Sequence, residues 1–279
     1  MAKRPRILFH YCSLDTFQNI VTNKSIWLSD ISKSNDSTEL IWIRQQVQKY
    51  LSDTRKLDRF NKWLKKESGL KTWCFCLSEA KDSLEMWRGY AQDASGIAIG
   101  FNSSLFDSFI NKYSPKLPDN SALLYNTADF EWVDFSKVEY SCEPIYPKID
   151  KIVNETKSLE KNEKYNEIID FIPAVSIQSF QHKYKNPSFR GEKEWRLSII
   201  KSNDPQKSSI EKFKESYLVK NNDLLSHIEV DISKFDKPIT EIWLGPKSKV
   251  DTKEIANLLC SNGFDPSCIE IKKSISTYR

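Results

Sequence analysis

Short runs in which hydrophobic and polar residues alternate recur along the chain and predict β-strands. The predicted strands cover residues 7–12, 26–28, 72–78, 96–101, 137–141, 192–200, 226–232 and 241–246, and Ile269, Ile271 and Ile275 mark a last one. The run 96–101 is apolar and begins and nearly ends on glycine, which is typical of a central strand. Residues 201–215 are polar and predict a surface loop with some helix.

Helices separate these strands. Residues suited to cap a helix N-terminus occur at Ser13, Asp36, Asp82 and Asp251, and a glutamate follows each aspartate three positions later, as in a capping box. Residues 148–170 are rich in Lys, Glu and Asn and predict an exposed helical insertion. Strands interleaved with short helices, without the regular repeat of a doubly wound sheet, indicate an α+β fold with a mixed, mainly antiparallel sheet.

Composition narrows the class of protein. With 279 residues, of which 39% are hydrophobic, the chain can bury a core, and we expect residues 1–279 to form a single domain. A formal net charge of +4 is too small to indicate a nucleic-acid partner by itself. No apolar stretch reaches membrane-spanning length, and no apolar signal region follows the basic N-terminal residues. We therefore expect a cytoplasmic protein without a membrane partner.

The six cysteines do not form a metal-binding pattern. Only Cys74 and Cys76 are close in sequence, and neither a second pair nor a nearby histidine accompanies them. Small buried thiols in a reducing compartment account for them, and we expect no metal.

One predicted strand carries the most unusual polar pattern. Period-two alternation places Trp195 and Leu197 on one face and Glu192, Glu194 and Arg196 on the other. Two carboxylates and a guanidinium group are costly to bury unless they are hydrogen-bonded. This face is therefore either solvated or part of a site.

Several short motifs together resemble a large bacterial family of unknown function. In chain order they are His10-Tyr11-x-Ser13, Asn35-Asp36-x-x-Glu39, Cys76-Leu77-Ser78 followed by Trp87 and Tyr90, the strand 96–101, Glu192-x-Glu194-Trp195-Arg196 and Ser276-x-Tyr278-Arg279. These motifs span nearly the whole chain. The family has no assigned activity, so this resemblance implies none.

A more distant resemblance does imply an activity. A strand that carries a histidine, a short helix with a second strand, and a carboxylate on a late strand are similar to the split-sheet ADP-ribosyltransferase superfamily. The resemblance implies that His10 holds a ribose of NAD and that Glu192 or Glu194 is the catalytic glutamate. It also implies an aromatic residue stacked on nicotinamide, for which Tyr90 and Trp27 are candidates.

The remaining residues that the resemblance assigns to NAD binding are Tyr11, Ser13, Arg196, Tyr278 and Arg279. Either arginine could hold a pyrophosphate through bidentate hydrogen bonds. The spacing Glu-x-Glu is also similar to the paired glutamates of arginine-modifying members, although those members carry arginine rather than histidine on the first strand.

The implied reaction is cleavage of the nicotinamide–ribose bond of NAD, with transfer of ADP-ribose to a macromolecule, either protein or nucleic acid, or to water. Such a cleavage passes through an oxocarbenium-like state, which a nearby carboxylate stabilises more than it stabilises the ground state. The resemblance to bacterial proteins implies a role as a toxin or in phage defence.

Two alternatives stay open. In a metal-dependent nuclease, Glu194 with Asp82 or Asp93 would hold magnesium, although Arg196 stands where such sites use lysine and cannot readily give up a proton. In a non-catalytic binding module, the glutamates and arginines would form a structural network of ion pairs.

Overall fold

The structure, a computed structural model, describes residues 5–33, 39–51, 54–65, 70–113, 131–159, 171–202, 213–220 and 222–278. The strands in these ranges are β1 (Ile7–Cys12), β2 (Ser25–Asp30), β3 (Leu70–Ser78), β4 (Ile97–Asn102), β5 (Glu131–Lys137), β6 (Glu194–Ser202), β7 (Glu215–Lys220), β8 (Asp223–Asp231), β9 (Ile239–Leu244) and β10 (Glu270–Lys273). The α-helices are α1 (Leu14–Asn23), α2 (Glu39–Tyr50), α3 (Thr54–Lys65), α4 (Leu84–Tyr90), α5 (Ser104–Tyr113), α6 (Tyr146–Leu159), α7 (Phe171–Gln181) and α8 (Thr252–Ser261).

The ten described strands form one mixed, mostly antiparallel sheet, which confirms the predicted α+β class. The main path through the sheet runs β10-β9-β4-β1-β3-β2-β8-β7, while β6 pairs with β3 and β5 pairs with β6. The β9–β10 pair is parallel. The apolar strand β4 lies between β1 and β9, as its sequence predicts.

The sheet opens along β3. Strand β6 pairs with one edge of β3 from Leu70 to Ser78. Because a strand has only two edges, β1 and β2 share the other one: β2 pairs at Trp73 and Cys74, and β1 pairs at Ser78. Between these contacts β1 and β2 diverge, and the edge of β3 at residues 75–77 borders the opening between them. We call this opening the gap.

Hydrophobic side chains gather in separate clusters. The main cluster covers one face of the sheet, where Leu8, Phe75 and Leu197 pack with residues of α1, α5 and α8. A second cluster is formed mainly by side chains from α2, α3, α6 and α7, among them Trp63 and Ile177.

Within the described ranges, no helix has the length and apolarity required to span a bilayer.

The segment 148–170 is described only in part. Its first residues belong to α6, whose Lys151 and Glu155 are exposed while Ile149 and Val153 are buried in the second cluster. The remainder lies outside the described residues.

Two predicted helix caps are confirmed and one is wrong. Ser13 accepts a hydrogen bond from the Thr16 backbone N–H, and Asp251 forms a complete capping box on α8. Asp82 does not cap α4, because Ser83 occupies the capping position and the Asp82 carboxylate binds elsewhere. The capping box at Asp36 lies outside the described residues.

Some strand predictions were also wrong. Residues 137–141 are not a strand: β5 ends at Lys137, and Glu139 forms only an isolated bridge with Tyr184. Strand β7 (Glu215–Lys220) was not predicted, and Ile275, which was predicted to mark the last strand, lies outside β10 and is exposed.

Candidate functional site

A cavity of about 350 Å³ lies at the gap. This volume is within the range of small-molecule sites in proteins. Its walls come from β1, β2, β3, α4, β6, β7 and β8 and from the segment between α7 and β6. The lining residues that bear on its chemistry are His10, Tyr11, Trp27, Cys76, Tyr90, Lys185, Glu192, Glu194, Arg196 and His227.

Glu194 lies at the start of β6 and is only 4% exposed. Arg196 binds its carboxylate with two hydrogen bonds, from Nε at 2.7 Å and from the terminal guanidinium nitrogen at 2.9 Å. Lys185 Nζ donates a third at 3.2 Å, and the Cys76 thiol donates a fourth. Four donors therefore saturate the acceptor capacity of this carboxylate.

Glu192 is also 4% exposed but accepts fewer hydrogen bonds. Lys185 Nζ donates to it at 2.7 Å, and the Tyr90 hydroxyl donates a second hydrogen bond. Lys185 thus links the two carboxylates, and Glu192 retains acceptor lone pairs beyond those used by Lys185 and Tyr90.

The sequence placed both glutamates on one strand, and this is wrong in detail. Glu192 ends the 3-10 segment Pro187–Glu192, and Lys193 then adopts the left-handed conformation with φ 47° before β6 begins. The two carboxylates still meet because both reach Lys185.

Their surroundings shift the two pKa values in opposite directions. Burial raises the pKa of Glu194, but the charge and hydrogen bonds of Arg196, with Lys185, outweigh burial and lower it to about 2. For Glu192, burial dominates and raises the pKa above its usual value despite the contacts with Lys185 and Tyr90. The site therefore holds one firmly ionised carboxylate and one that takes up a proton more readily.

His10 lies on β1 beside the gap. Its Nδ1 is 2.9 Å from the Cys76 carbonyl oxygen, and its ring stacks on Phe75 at 4.3 Å between centroids. Because a carbonyl oxygen only accepts, Nδ1 carries the proton and Nε2 of the neutral ring is an acceptor. Burial lowers the pKa of His10 to about 4, against the opposing effect of the Cys76 carbonyl, so the ring is neutral at pH 7.

His10 and Glu194 approach the cavity from different faces of the sheet. Leu8 belongs to the main cluster, and alternation places His10 on the same face. Trp195 belongs to that cluster too, so Glu194 faces the opposite side. The gap allows both side chains to border one cavity. Cys76 joins them, since its carbonyl accepts from His10 and its thiol donates to Glu194.

The end of the cavity away from the glutamates is aromatic. Trp27 on β2 stacks on His227 of β8, with ring centroids 4.1 Å apart and planes inclined by 23°. The sequence named Trp27 as a candidate but missed His227 and Lys185. Period-two alternation in β8 could have placed His227 on the face opposite Ile228, but alternation alone does not reveal which strand lies next to it.

The other predicted contacts with NAD have different positions. Tyr11 lines the cavity, and its hydroxyl donates to the Ala80 carbonyl at 2.8 Å. Ser13 caps α1 and is not among the lining residues. Tyr278 donates to Asp93 at 2.8 Å on another part of the surface, and Arg279 lies outside the described residues.

The predicted magnesium ligands are engaged elsewhere. Asp82 accepts hydrogen bonds from Trp87 Nε1 and Ser274 Oγ, each at 2.6 Å. Asp93 pairs with Lys247 at 2.6 Å. Among the residues that the structure describes, no group of three His, Cys, Asp or Glu side chains could hold a metal ion. The donor geometry therefore gives the nuclease alternative no support.

A family model described as "Protein of unknown function (DUF2971)" matches residues 86–197. This range resembles that family. The match confirms the predicted resemblance to a family of unknown function. It includes Tyr90, Lys185 and both glutamates of the cavity, whereas His10 and His227 lie outside it. No curated protein and no solved structure matches the chain.

Proposed function

We propose that the cavity binds NAD and that the protein cleaves the nicotinamide–ribose bond, transferring ADP-ribose to a macromolecule or to water. The observation that carries this proposal is that His10 borders the same cavity as Glu192 and Glu194. These residues are remote in sequence, and the resemblance to ADP-ribosyltransferases requires them to surround one dinucleotide.

The unequal environments of the glutamates suggest a division of roles. Glu194 is saturated by Arg196, Lys185 and the Cys76 thiol, so we assign it the role of holding the two cationic side chains, Arg196 and Lys185, in place. Glu192 keeps free acceptor capacity and has a raised pKa, which suits a group that accepts a proton during the reaction.

The reaction then proceeds by substitution at the ribose C1 atom. The C–N bond to nicotinamide breaks, and its electron pair leaves with nicotinamide. A lone pair of the acceptor forms the new bond to C1, and the proton of the acceptor passes to Glu192. The negative carboxylates stabilise the positive charge that develops on the ribose.

The test compares Glu192→Gln with the wild-type protein. Glutamine removes the proton acceptor but keeps a hydrogen-bonding group, and Lys185 remains paired with Glu194. We expect the rate of nicotinamide release from NAD to fall roughly 100-fold or more. Glu270→Gln, at an exposed glutamate paired with Lys272, is the matched control and should retain the wild-type rate.

Thermal melting of both variants checks that they fold. Glu194→Gln is less informative, since breaking a buried ion pair costs about 3–5 kcal/mol and would confuse loss of function with loss of folding. The proposal fails if wild-type protein neither binds NAD nor releases nicotinamide with protein, DNA, RNA or water as acceptor.

A non-catalytic binding module is the second candidate, because every charged group of the cluster has a partner. Lys185 and Arg196 both bind Glu194, and Lys185 also binds Glu192. In that case Glu192→Gln changes stability or ligand affinity, and no substrate is turned over.

A further inference from the structure

The aromatic end of the cavity has features of a ligand site of its own. Trp27 is 37% exposed although it is a large apolar side chain, and one face of its ring is already covered by His227. Both residues line the cavity. A stacked pair of this kind offers a flat surface to another aromatic ring.

His227 provides a second, independent indication. It is 7% exposed, and its buried Nδ1 has no hydrogen-bond partner. Leaving a buried polar atom unpaired is unfavourable, and such atoms in a folded protein call for an explanation. Burial also lowers the pKa of His227, so its ring is neutral at pH 7 and stacks without a charge to desolvate.

The register of the sheet separates this end from the glutamates. Glu194 pairs with Ser78 on β3, while Cys74 pairs with Ser29 and Ser29 pairs with His227. From Ser78 to Cys74 the path runs four residues along β3, about 13 Å. From β6 through β3 and β2 to β8 it crosses three strand spacings, about 14 Å. A ligand that contacts both ends must therefore be extended.

We infer that Trp27 and His227 form a subsite for a nitrogen heteroaromatic ring of the nucleobase class, at the end of the cavity remote from the glutamates. If the proposed function holds, the ring is the adenine of NAD. The nicotinamide–ribose bond has to lie beside Glu192, so the adenine, at the other end of the dinucleotide, lies at the remote end of the cavity. Ser29 also lines the cavity, and a serine hydroxyl can hydrogen-bond a ring nitrogen.

Isothermal titration with AMP and with nicotinamide mononucleotide tests this subsite. We expect Trp27→Ala to weaken AMP binding roughly 5- to 150-fold, the range that loss of one base–aromatic stack produces, and Trp27→Phe to restore most of the affinity. Binding of nicotinamide mononucleotide should be unchanged. The control is Tyr217→Ala. Tyr217 is an exposed aromatic residue of β7, the strand next to β8, and does not line the cavity.

The outcomes separate the two proposals. AMP binding that depends on Trp27, without nicotinamide release from NAD, supports the subsite and rejects the proposed reaction. Nicotinamide release with AMP affinity unchanged in Trp27→Ala, or with no AMP binding at all, rejects the subsite and leaves the reaction standing. If neither AMP binding nor nicotinamide release occurs, both are rejected.

Discussion

Glu192 and Glu194 are equally buried, yet their partners give them different properties. Arg196 follows Glu194 by two positions and reaches it along the strand, so the sequence alone indicates this pair. Lys185 precedes both glutamates and bonds to both, and its position depends on how the chain turns between α7 and β6. Alternation along the strand therefore predicts which side chains share a face. The contact of Lys185 with both carboxylates depends on the tertiary structure and cannot be read from this local pattern.

At the residue scale, the low pKa of His10 predicts a pH dependence of stability. The pKa falls from 6.5 to about 4 on folding because the ring is buried. As the pH drops from about 6.5 to about 4, the unfolded chain takes up a proton that the folded protein does not bind. The stability contributed by neutral His10 is thus complete above pH 6.5 and is lost as the pH falls through this window.

His10→Asn keeps an N–H donor for the Cys76 carbonyl and removes the titration. We expect its free energy of unfolding, measured by urea denaturation between pH 4 and 6.5, to vary less with pH than that of the wild type. The other two histidines also have lowered pKa values and are present in both proteins, so the comparison isolates His10. Equal pH slopes for the two proteins would contradict the prediction.

At the scale of elements, periodicity located those strands whose own residues determine their position. Strand β1 begins and ends where alternation predicts, and β4 is buried as its apolar run requires. The strand predicted over residues 137–141 was misplaced, because the alternation of β5 is weak. Pairing with β6 determines its position at Glu131–Lys137. The gap could not be foreseen, since it arises from the relative register of β1 and β2 on β3, and no local pattern encodes register between distant strands.

The turn between the 3-10 segment and β6 provides a test at this scale. Lys193 has φ 47° and ψ 49°, where an L-residue with a side chain is strained and glycine is not. We expect Lys193→Gly to leave stability unchanged or raise it by up to about 1 kcal/mol. Lys193→Val should lower it by roughly 1–3 kcal/mol, because a β-branched residue is least tolerant of positive φ.

Urea midpoints measure both effects. The control is Lys273→Val on β10, which should be nearly neutral because strands favour valine. If the valine and glycine variants at position 193 have the same midpoint, the turn is not the constraint that the structure indicates.

At the scale of the whole molecule, the segment after β10 is connected through Asp82 to α4, the helix that lines the cavity. Asp82 accepts from Trp87 Nε1 on α4 and from the Ser274 hydroxyl and the Ile275 backbone N–H. The same helix carries Tyr90, which binds Glu192. The C-terminal segment, α4 and the carboxylates thus form one connected set of contacts.

We expect Asp82→Ala to release the segment after β10 and to lower stability by about 1–3 kcal/mol, since one substitution leaves these three donors and the Ser276 hydroxyl without their acceptor. Limited trypsin digestion should then cut after Lys273, where β10 meets the released segment, faster than in the wild type. Asp58→Ala removes an exposed carboxylate of α3, away from β10, and should leave both the cleavage rate and the melting temperature nearly unchanged. Identical digestion of the two variants would show that Asp82 does not secure this segment.

The order in which a ribosome makes the chain gives the layout of the sheet a further meaning. The strand with His10 emerges before β6 and β8, and these later strands complete the cavity around it. Contacts between such distant segments form late in folding. A chain still under synthesis therefore has no assembled pocket, and whatever chemistry the pocket performs begins only after translation of β6 and β8 is finished.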